Sequence, residues 1–181
     1  MGSGKLEMKS LVIDNFFEDP SSVIELAKNQ VYYPRGSDQF YEGIRTADLK
    51  EIDINFYNSV VSKIVYSYFD SKHDYKVDGH MNFHRLGNRD NNDPQWINDK
   101  VHKDQSITST VIYLTPDAPM TSGTQIYREV NGEYVPDIIF HNKFNRMISF
   151  PGPIPHSAMD VNGGSEDRLT LLFFLLNIEA V

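Results

Sequence analysis

The chain has 181 residues, 40% of them hydrophobic and 12% aromatic, enough for one folded unit with a sizeable core. Cysteine is absent, which excludes disulfides, thiolate metal sites and a cysteine nucleophile; a metal must be held by nitrogen and oxygen donors, favouring iron, manganese, nickel or zinc. The net charge of −8, from 25 acidic and 17 basic residues, argues against a broad phosphate-binding surface, so nucleic acid is not an expected partner.

No apolar run approaches a membrane span, and the most apolar stretch, Leu169 to Ile178, has only a strand's length. Neither a membrane association nor a signal peptide is expected, and the cytoplasm is the expected location. Residues 1–7 read as a leader appended for expression, with Met8 the candidate native start.

Leu11-Val-Ile13 is strand-like. Asp19-Pro20 reads as an N-cap followed by the first helical residue, and Ser22-x-x-Glu25 has the spacing of a capping box, so a helix through about Asn29 is predicted. Tyr32 to Asp48 mixes glycine, aromatic and charged residues and reads as an irregular arm. From Asp53 to Phe69, residues Tyr57, Val60, Val61, Ile64, Val65 and Tyr68 form one helical stripe, the mark of a helix covering a sheet.

Beyond residue 76 the period changes. Strands are predicted over Val77–Leu86, Ile107–Leu114, Thr124–Val130, Glu133–Ile139, Arg146–Phe150, a short piece near His156, and Arg168–Ile178. Gly87 to Asp99 is a polar loop, and Asn131-Gly132 is a two-residue hairpin turn. Many short strands after two helices predict a mainly β fold with flanking helices. It is a double-stranded β-helix (jelly roll, cupin-like) braced by N-terminal helices. The expected organisation is a single domain over residues 8–181, with 8–75 a helical support region and 76–181 the β-helix core.

The chemistry concentrates in His102-Lys-Asp104, followed by His156 and Arg168. Two imidazoles and a carboxylate can hold iron(II) on one triangular face and leave the opposite face open. With six histidines and 25 acids in the chain, about one such triplet is expected by chance, so context decides. Residues two apart in extended backbone point to one side, and this pair sits between a polar loop and a β-branched strand. His156 follows Pro151-Gly-Pro-Ile-Pro155, which stiffens and aims it; the alternative is a turn histidine with no ligand role. His141 is the rival third ligand. His73, His80 and His84 lack an acid two residues on, and His80 and His84 share a strand face with Asn82 as pocket-lining candidates or ordinary polar residues. Arg168 and Thr170 alternate onto one face, a guanidinium beside a hydroxyl, which suits a distal carboxylate. Otherwise Arg168 pairs with Asp160, Glu166 or Asp167.

From about residue 80 to the end, this order resembles the prolyl 4-hydroxylase-like branch of the iron(II)/2-oxoglutarate-dependent dioxygenases. The match runs through His102-x-Asp104, Tyr113-Leu114, Ser122-Gly123, His156, and Arg168 with Thr170. Ser122 stands where the family has the first of two glycines, and the spacing from His156 to Arg168 is slightly long. The resemblance implies that His102, Asp104 and His156 ligate Fe(II) and carry catalysis. Arg168, Tyr113 and Thr170 would bind 2-oxoglutarate, with ascorbate as the candidate reductant. It implies an oxidoreductase hydroxylating a peptide or protein residue, or a small metabolite, with release of succinate and CO2. The alternatives are a cupin-type metalloenzyme that does not use 2-oxoglutarate and a non-catalytic jelly-roll interaction module. Candidate substrate-facing residues are the Tyr32–Arg45 arm, the Gly87–Asp99 loop with Trp96, and Tyr127 or Arg128.

Overall fold

The computed structural model describes residues 9–34, 43–69, 72–87, 101–159 and 167–181. The first strand is β1 (Leu11–Ile13), and the helix after it, α1 (Pro20–Lys28), starts where the sequence places it. Asp19 is its N-cap and accepts from the backbone N–H groups of Ser21 and Ser22. The predicted Ser22–Glu25 capping box does not form. Because Asp19 takes the cap, Ser22 falls inside the first turn, where its hydroxyl donates to the Asp19 carbonyl, and Glu25 accepts from Asn29 instead.

The Tyr32–Asp48 arm is more regular than expected at its ends, with β2 (Tyr33–Pro34) and β3 (Ile44–Arg45) pairing antiparallel. A four-residue helix, α2 (Leu49–Ile52), follows, capped by Asp48. α3 (Ile54–Tyr68) is capped by Asp53, which accepts from Asn55 and Phe56. Its predicted stripe is its buried face: Tyr57, Val60, Val61, Ile64 and Val65 are all buried.

The β region contains β4 (Tyr75–Leu86), β5 (Thr108–Tyr113), β6 (Thr124–Val130), β7 (Glu133–Phe140), β8 (Met147–Pro151), β9 (His156–Ala158) and β10 (Arg168–Ala180). The described residues form a seven-stranded sheet in the order β1-β8-β5-β10-β4-β3-β2 and a three-stranded sheet in the order β7-β6-β9. All pairings are antiparallel. The β6–β7 turn is the predicted one: Asn131 and Gly132 have φ of 53° and 84°, the left-handed pair that a tight hairpin requires.

Strand β10 shows how the large sheet divides the molecule. Leu169, Leu171, Phe173 and Leu175 face the helices and join Tyr57, Val60, Ile64 and Phe83 in the main core. Arg168, Thr170, Leu172 and Phe174 face the other way and line a cavity. A smaller apolar cluster of Tyr113, Ile126, Ile148 and Phe150 fills the space between the two sheets. This is a mainly β jelly roll with helices on one side, as the sequence predicts. Among the described residues no helix is long and apolar enough to cross a membrane.

Candidate metal centre

The turn-rich segment around residue 152 brings the two halves of the predicted ligand set together. His102 and His156 exchange backbone hydrogen bonds of 3.0 and 2.9 Å as an isolated antiparallel bridge. Two residues later the Asp104 N–H donates to the Gly152 carbonyl at 2.9 Å. Gly152 passes so close to Ser106 that a Cβ there would lie 2.3 Å from the Ser106 carbonyl oxygen; only glycine allows this approach. The loop-to-strand segment before β5 is thus clamped onto the proline-rich loop before β9.

One nitrogen of each histidine and one carboxylate oxygen of Asp104 lie within 4.8 Å of one another. The Asp104 carboxylate is 3.6 Å from His102 Nε2 and 3.3 Å from His156 Nε2. Metal–nitrogen and metal–oxygen bonds of about 2.0–2.2 Å place adjacent donors roughly 3 Å apart, so this donor set fits one divalent ion after small adjustments.

The surroundings hold the donors in metal-binding form. His156 Nδ1 lies 2.8 Å from the Ile154 carbonyl. A carbonyl can only accept, so Nδ1 donates to it, and Nε2, which faces Asp104, is the ring nitrogen left for a metal. The His156 ring packs against Phe150 with centroids 4.7 Å apart, and its side chain is 8% exposed. Ser109, on β5, donates to Asp104 Oδ2 at 2.5 Å and is itself linked to Ser106 at 2.9 Å. Burial pushes the Asp104 pKa up, but the hydrogen bond and charge of His156, with Ser109 and His102, outweigh it and leave the pKa lowered. Asp104 is therefore held as the anion a cation needs. The His102 side chain is 51% exposed, so the metal position opens toward solvent on that side.

The cavity beside these donors measures about 630 Å³ and is lined by His84, Arg45, Thr124, Arg168 and Thr170 among others. Arg168 is 7% exposed. Its Nε has no hydrogen-bond partner, and among the described residues no carboxylate pairs with it; Asp160 and Glu166 lie outside the described residues. Burial lowers its pKa, and Tyr113 only partly offsets this. A buried guanidinium held against its own desolvation is a site for an anion. The guanidinium lies over the Tyr113 ring at 5.3 Å. Tyr113 is fully buried and its hydroxyl pairs with Thr124 Oγ1 at 2.8 Å. Burial raises its pKa despite Arg168. Thr170 is directly opposite Tyr113 on one side and His84 on the other.

The remaining sequence candidates separate. His141 stays apart from the cluster and lies 3.3 Å from the Met120 carbonyl. His80 Nδ1 is 2.9 Å from Asp48 Oδ2, a partner 32 positions away that no local motif announces. His84 lines the cavity. Tyr127 pairs with Ser157 at 3.1 Å, and Arg128 lies 4.0 Å from Asp137 on the hairpin. Trp96, residues 88–100, residues 35–42 and the Asn162–Ser165 turn are outside the described residues. Ser109 and Ser106 were missed as supporting residues. Their signal was slight, a hydroxyl-rich stretch directly after Asp104.

Several solved structures are similar to this chain in fold. An oxidoreductase of the 2OG-Fe(II) oxygenase family from Burkholderia pseudomallei matches with a TM-score of 0.62 and 14% identity, over 94% of this chain and 85% of that one. A prolyl hydroxylase from Trichoplax adhaerens, in complex with a hypoxia inducible factor peptide fragment, matches with a TM-score of 0.56 and 12% identity, over 92% and 83%. The non-heme alpha ketoglutarate dependent epimerase SnoN from nogalamycin biosynthesis matches with a TM-score of 0.62 and 10% identity, over 93% and 77%. At these identities the likeness is one of fold: the jelly roll on which 2OG-Fe(II) oxygenases are built. By sequence, the chain belongs to the family of unknown function DUF6445, which matches residues 3–135. That span contains His102, Asp104 and Tyr113 and ends before His156 and Arg168. No curated protein matches.

Proposed function

We propose that this protein is an iron(II)- and 2-oxoglutarate-dependent oxygenase of the prolyl-hydroxylase-like kind, acting on a peptide or small-molecule substrate. The observation that carries this reading is the convergence, in one cavity, of His102, Asp104 and His156 with the buried guanidinium of Arg168. A metal held by three protein donors on one face keeps positions for a chelating 2-oxo acid and for oxygen. When bound, iron(II) and 2-oxoglutarate supply the oxygen activation and the two electrons, with succinate and CO2 as products.

The protein's own part is positioning. His156, its tautomer set by the Ile154 carbonyl, and Asp104, oriented by Ser109, present fixed donors. Arg168 takes the far carboxylate of the co-substrate in a charge-assisted pair, with Thr170 beside it. Tyr113 underlies the guanidinium and restricts its orientation; with its hydroxyl already on Thr124, its contribution to the co-substrate is through Arg168 or through an exchange of that bond. Leu172, Phe174 and Phe150 make the adjoining wall apolar. Ascorbate is the reductant to supply in assays. Neighbours of this fold hold both kinds of molecule: the Trichoplax prolyl hydroxylase is in complex with a peptide fragment, and SnoN with nogalamycin RO.

An anaerobic titration with iron(II) and 2-oxoglutarate tests the reading directly. A visible charge-transfer band is expected in the wild type, and its absence would sink the proposal. Succinate release above the uncoupled background, on a panel of proline-containing peptides, then separates a 2-oxoglutarate enzyme from a metalloenzyme that ignores this co-substrate.

A further inference from the structure

We infer that a second cavity, which meets the metal cavity at Arg168, is a regulatory site for a small multivalent anion, a carboxylate or a phosphate. The site itself stands apart from the oxygenase reading; its coupling to 2-oxoglutarate rests on that reading.

This cavity measures about 730 Å³. α1 forms one wall with Ile24, Glu25 and Lys28, and the loop after β5 forms another with Asp117. Arg85 on β4 and Leu169 on β10 are directly opposite each other in the sheet register, and both line it. Leu169 belongs to the core beneath the helices, and partners across antiparallel strands share a face. The cavity therefore lies on the helix side of the large sheet, at the end where β10 starts. The metal cavity lies on the other side. Among the described residues Arg168, the first of β10, is the one that lines both.

Burial sorts the charges of this second cavity. Glu25, Lys28, Asp117 and Asp167 are exposed and form a rim of mixed sign. Deeper in, Arg168 is buried and Arg85 half-buried, and among the described lining residues no acid is buried with them. The rim carboxylates face water, where charge interactions are weak; the two guanidinium groups sit where the dielectric is lower and interactions are stronger. Among the described residues no carboxylate pairs with Arg85, whose guanidinium lies over the Tyr32 ring at 5.0 Å. Tyr32 is itself fixed, its hydroxyl donating to the Ala27 carbonyl at 3.0 Å. A guanidinium stacked on a ring keeps its edge N–H groups for a forked bond to a carboxylate or phosphate. Two such cations with no acid between them call for a ligand with more than one negative charge.

Arg168 supplies the regulation. In the proposed function it takes the far carboxylate of the co-substrate, so an anion in the second cavity faces that carboxylate across one guanidinium. Like charges that share a cation weaken each other. Each ligand then lowers the other's affinity by the same factor.

The probes are inorganic phosphate, propane-1,2,3-tricarboxylate and, as an uncharged control, its triamide. Calorimetry first reads their binding to the full chain without added metal. At least one anion is expected to bind saturably, and the triamide not at all. Arg85→Met is expected to weaken the anion about tenfold or more, with Arg85→Lys recovering part of the loss. Whichever anion binds tells a carboxylate ligand from a phosphate. The second step titrates 2-oxoglutarate into anaerobic protein holding iron(II), with and without that anion, and follows the charge-transfer band. The anion is expected to weaken 2-oxoglutarate about fivefold or more in the wild type and to leave it within about twofold in Arg85→Met. An anion that merely competes at the metal weakens it equally in both. No anion binding, triamide binding as well as the anions, binding undiminished by Arg85→Met, or equal weakening in both proteins overturns the inference, and so does an anion that binds without moving the 2-oxoglutarate affinity. If the band never forms, the oxygenase reading fails, while the first step still decides whether the anion site exists.

Discussion

The two faces of the large sheet are made by the same strands and do opposite work. On the helix side, β10 contributes Leu169, Leu171, Phe173 and Leu175 to a continuous apolar core with α1 and α3. On the cavity side the same strand presents Arg168 and Thr170, and β5 presents Ser109. The first face stabilises by removing apolar area from water, at roughly 25 cal/mol per Å². The second keeps a buried cation without a counter-charge among the described residues, a cost the helix side must cover. Stability and chemistry are thus separated by a two-residue period, and substitutions on alternate positions should separate them in experiment.

The largest expected effect is on the cavity side. Asp104→Asn keeps the shape but removes the charge, and it is expected to abolish succinate release and the iron(II)-dependent band while leaving the melting temperature close to wild type. Chelation of the metal is expected to have the same effect on turnover, reversed by adding iron(II). A folded Asp104→Asn variant with wild-type turnover removes Asp104 from the ligand set.

On the helix side, Phe173→Ala empties a fully buried position and is expected to cost about 3–5 kcal/mol in denaturant unfolding. Its folded fraction should bind iron(II) normally. Arg168→Ala inverts that pattern: 2-oxoglutarate binding weakens by about 2–5 kcal/mol, while iron(II) affinity and stability are retained. Equal losses of metal and co-substrate affinity in this variant would place Arg168 in a structural role. Ser109→Ala should be milder, lowering metal affinity by about 10- to 100-fold through the freed Asp104 carboxylate, as competition with a chelator can measure.

The smallest effect belongs to a surface tie outside both faces. Asp14, next to β1, accepts from Arg146 Nε at 2.6 Å and from Lys143 Nζ at 2.7 Å. The Arg146 hydrogen bond, then that of Lys143, holds the Asp14 pKa well below the usual carboxylate range. A depressed folded pKa contributes stability above the unfolded value, near 4, and loses it as pH falls toward the folded one. Asp14→Asn should therefore flatten the acid limb of the stability–pH curve, by no more than about 1 kcal/mol for so exposed a pair. An unchanged limb would show that the pair contributes nothing.

The sequence carried the elements whose signals are local. Asp19-Pro20 starts α1, the apolar stripe marks α3, and Asn131-Gly132 closes the β6–β7 hairpin, each within a few residues. α2 escaped because four residues are too short to show a period, and β2 and β3 escaped because two-residue strands exist only through their pairing. The candidate metal cluster of His102, Asp104 and His156 was legible for a related reason: His102 and Asp104 are neighbours, and the prolines before His156 announce a fixed loop. Ser109 against Asp104 and Asp48 against His80 were not, since neither pairing leaves a recognisable spacing.

By itself, then, the order of residues determined the periodicities, the turn chemistry and the donor types, because each depends on a few consecutive side chains. Only the tertiary structure decided which faces meet. It clamped His102 to His156 through a backbone bridge, put Arg168 over Tyr113, and used the pairing of β3 with β4 to bring Arg45 into the cavity. Those contacts join residues far apart in the chain, and they form only when burial of the apolar face brings the strands into register.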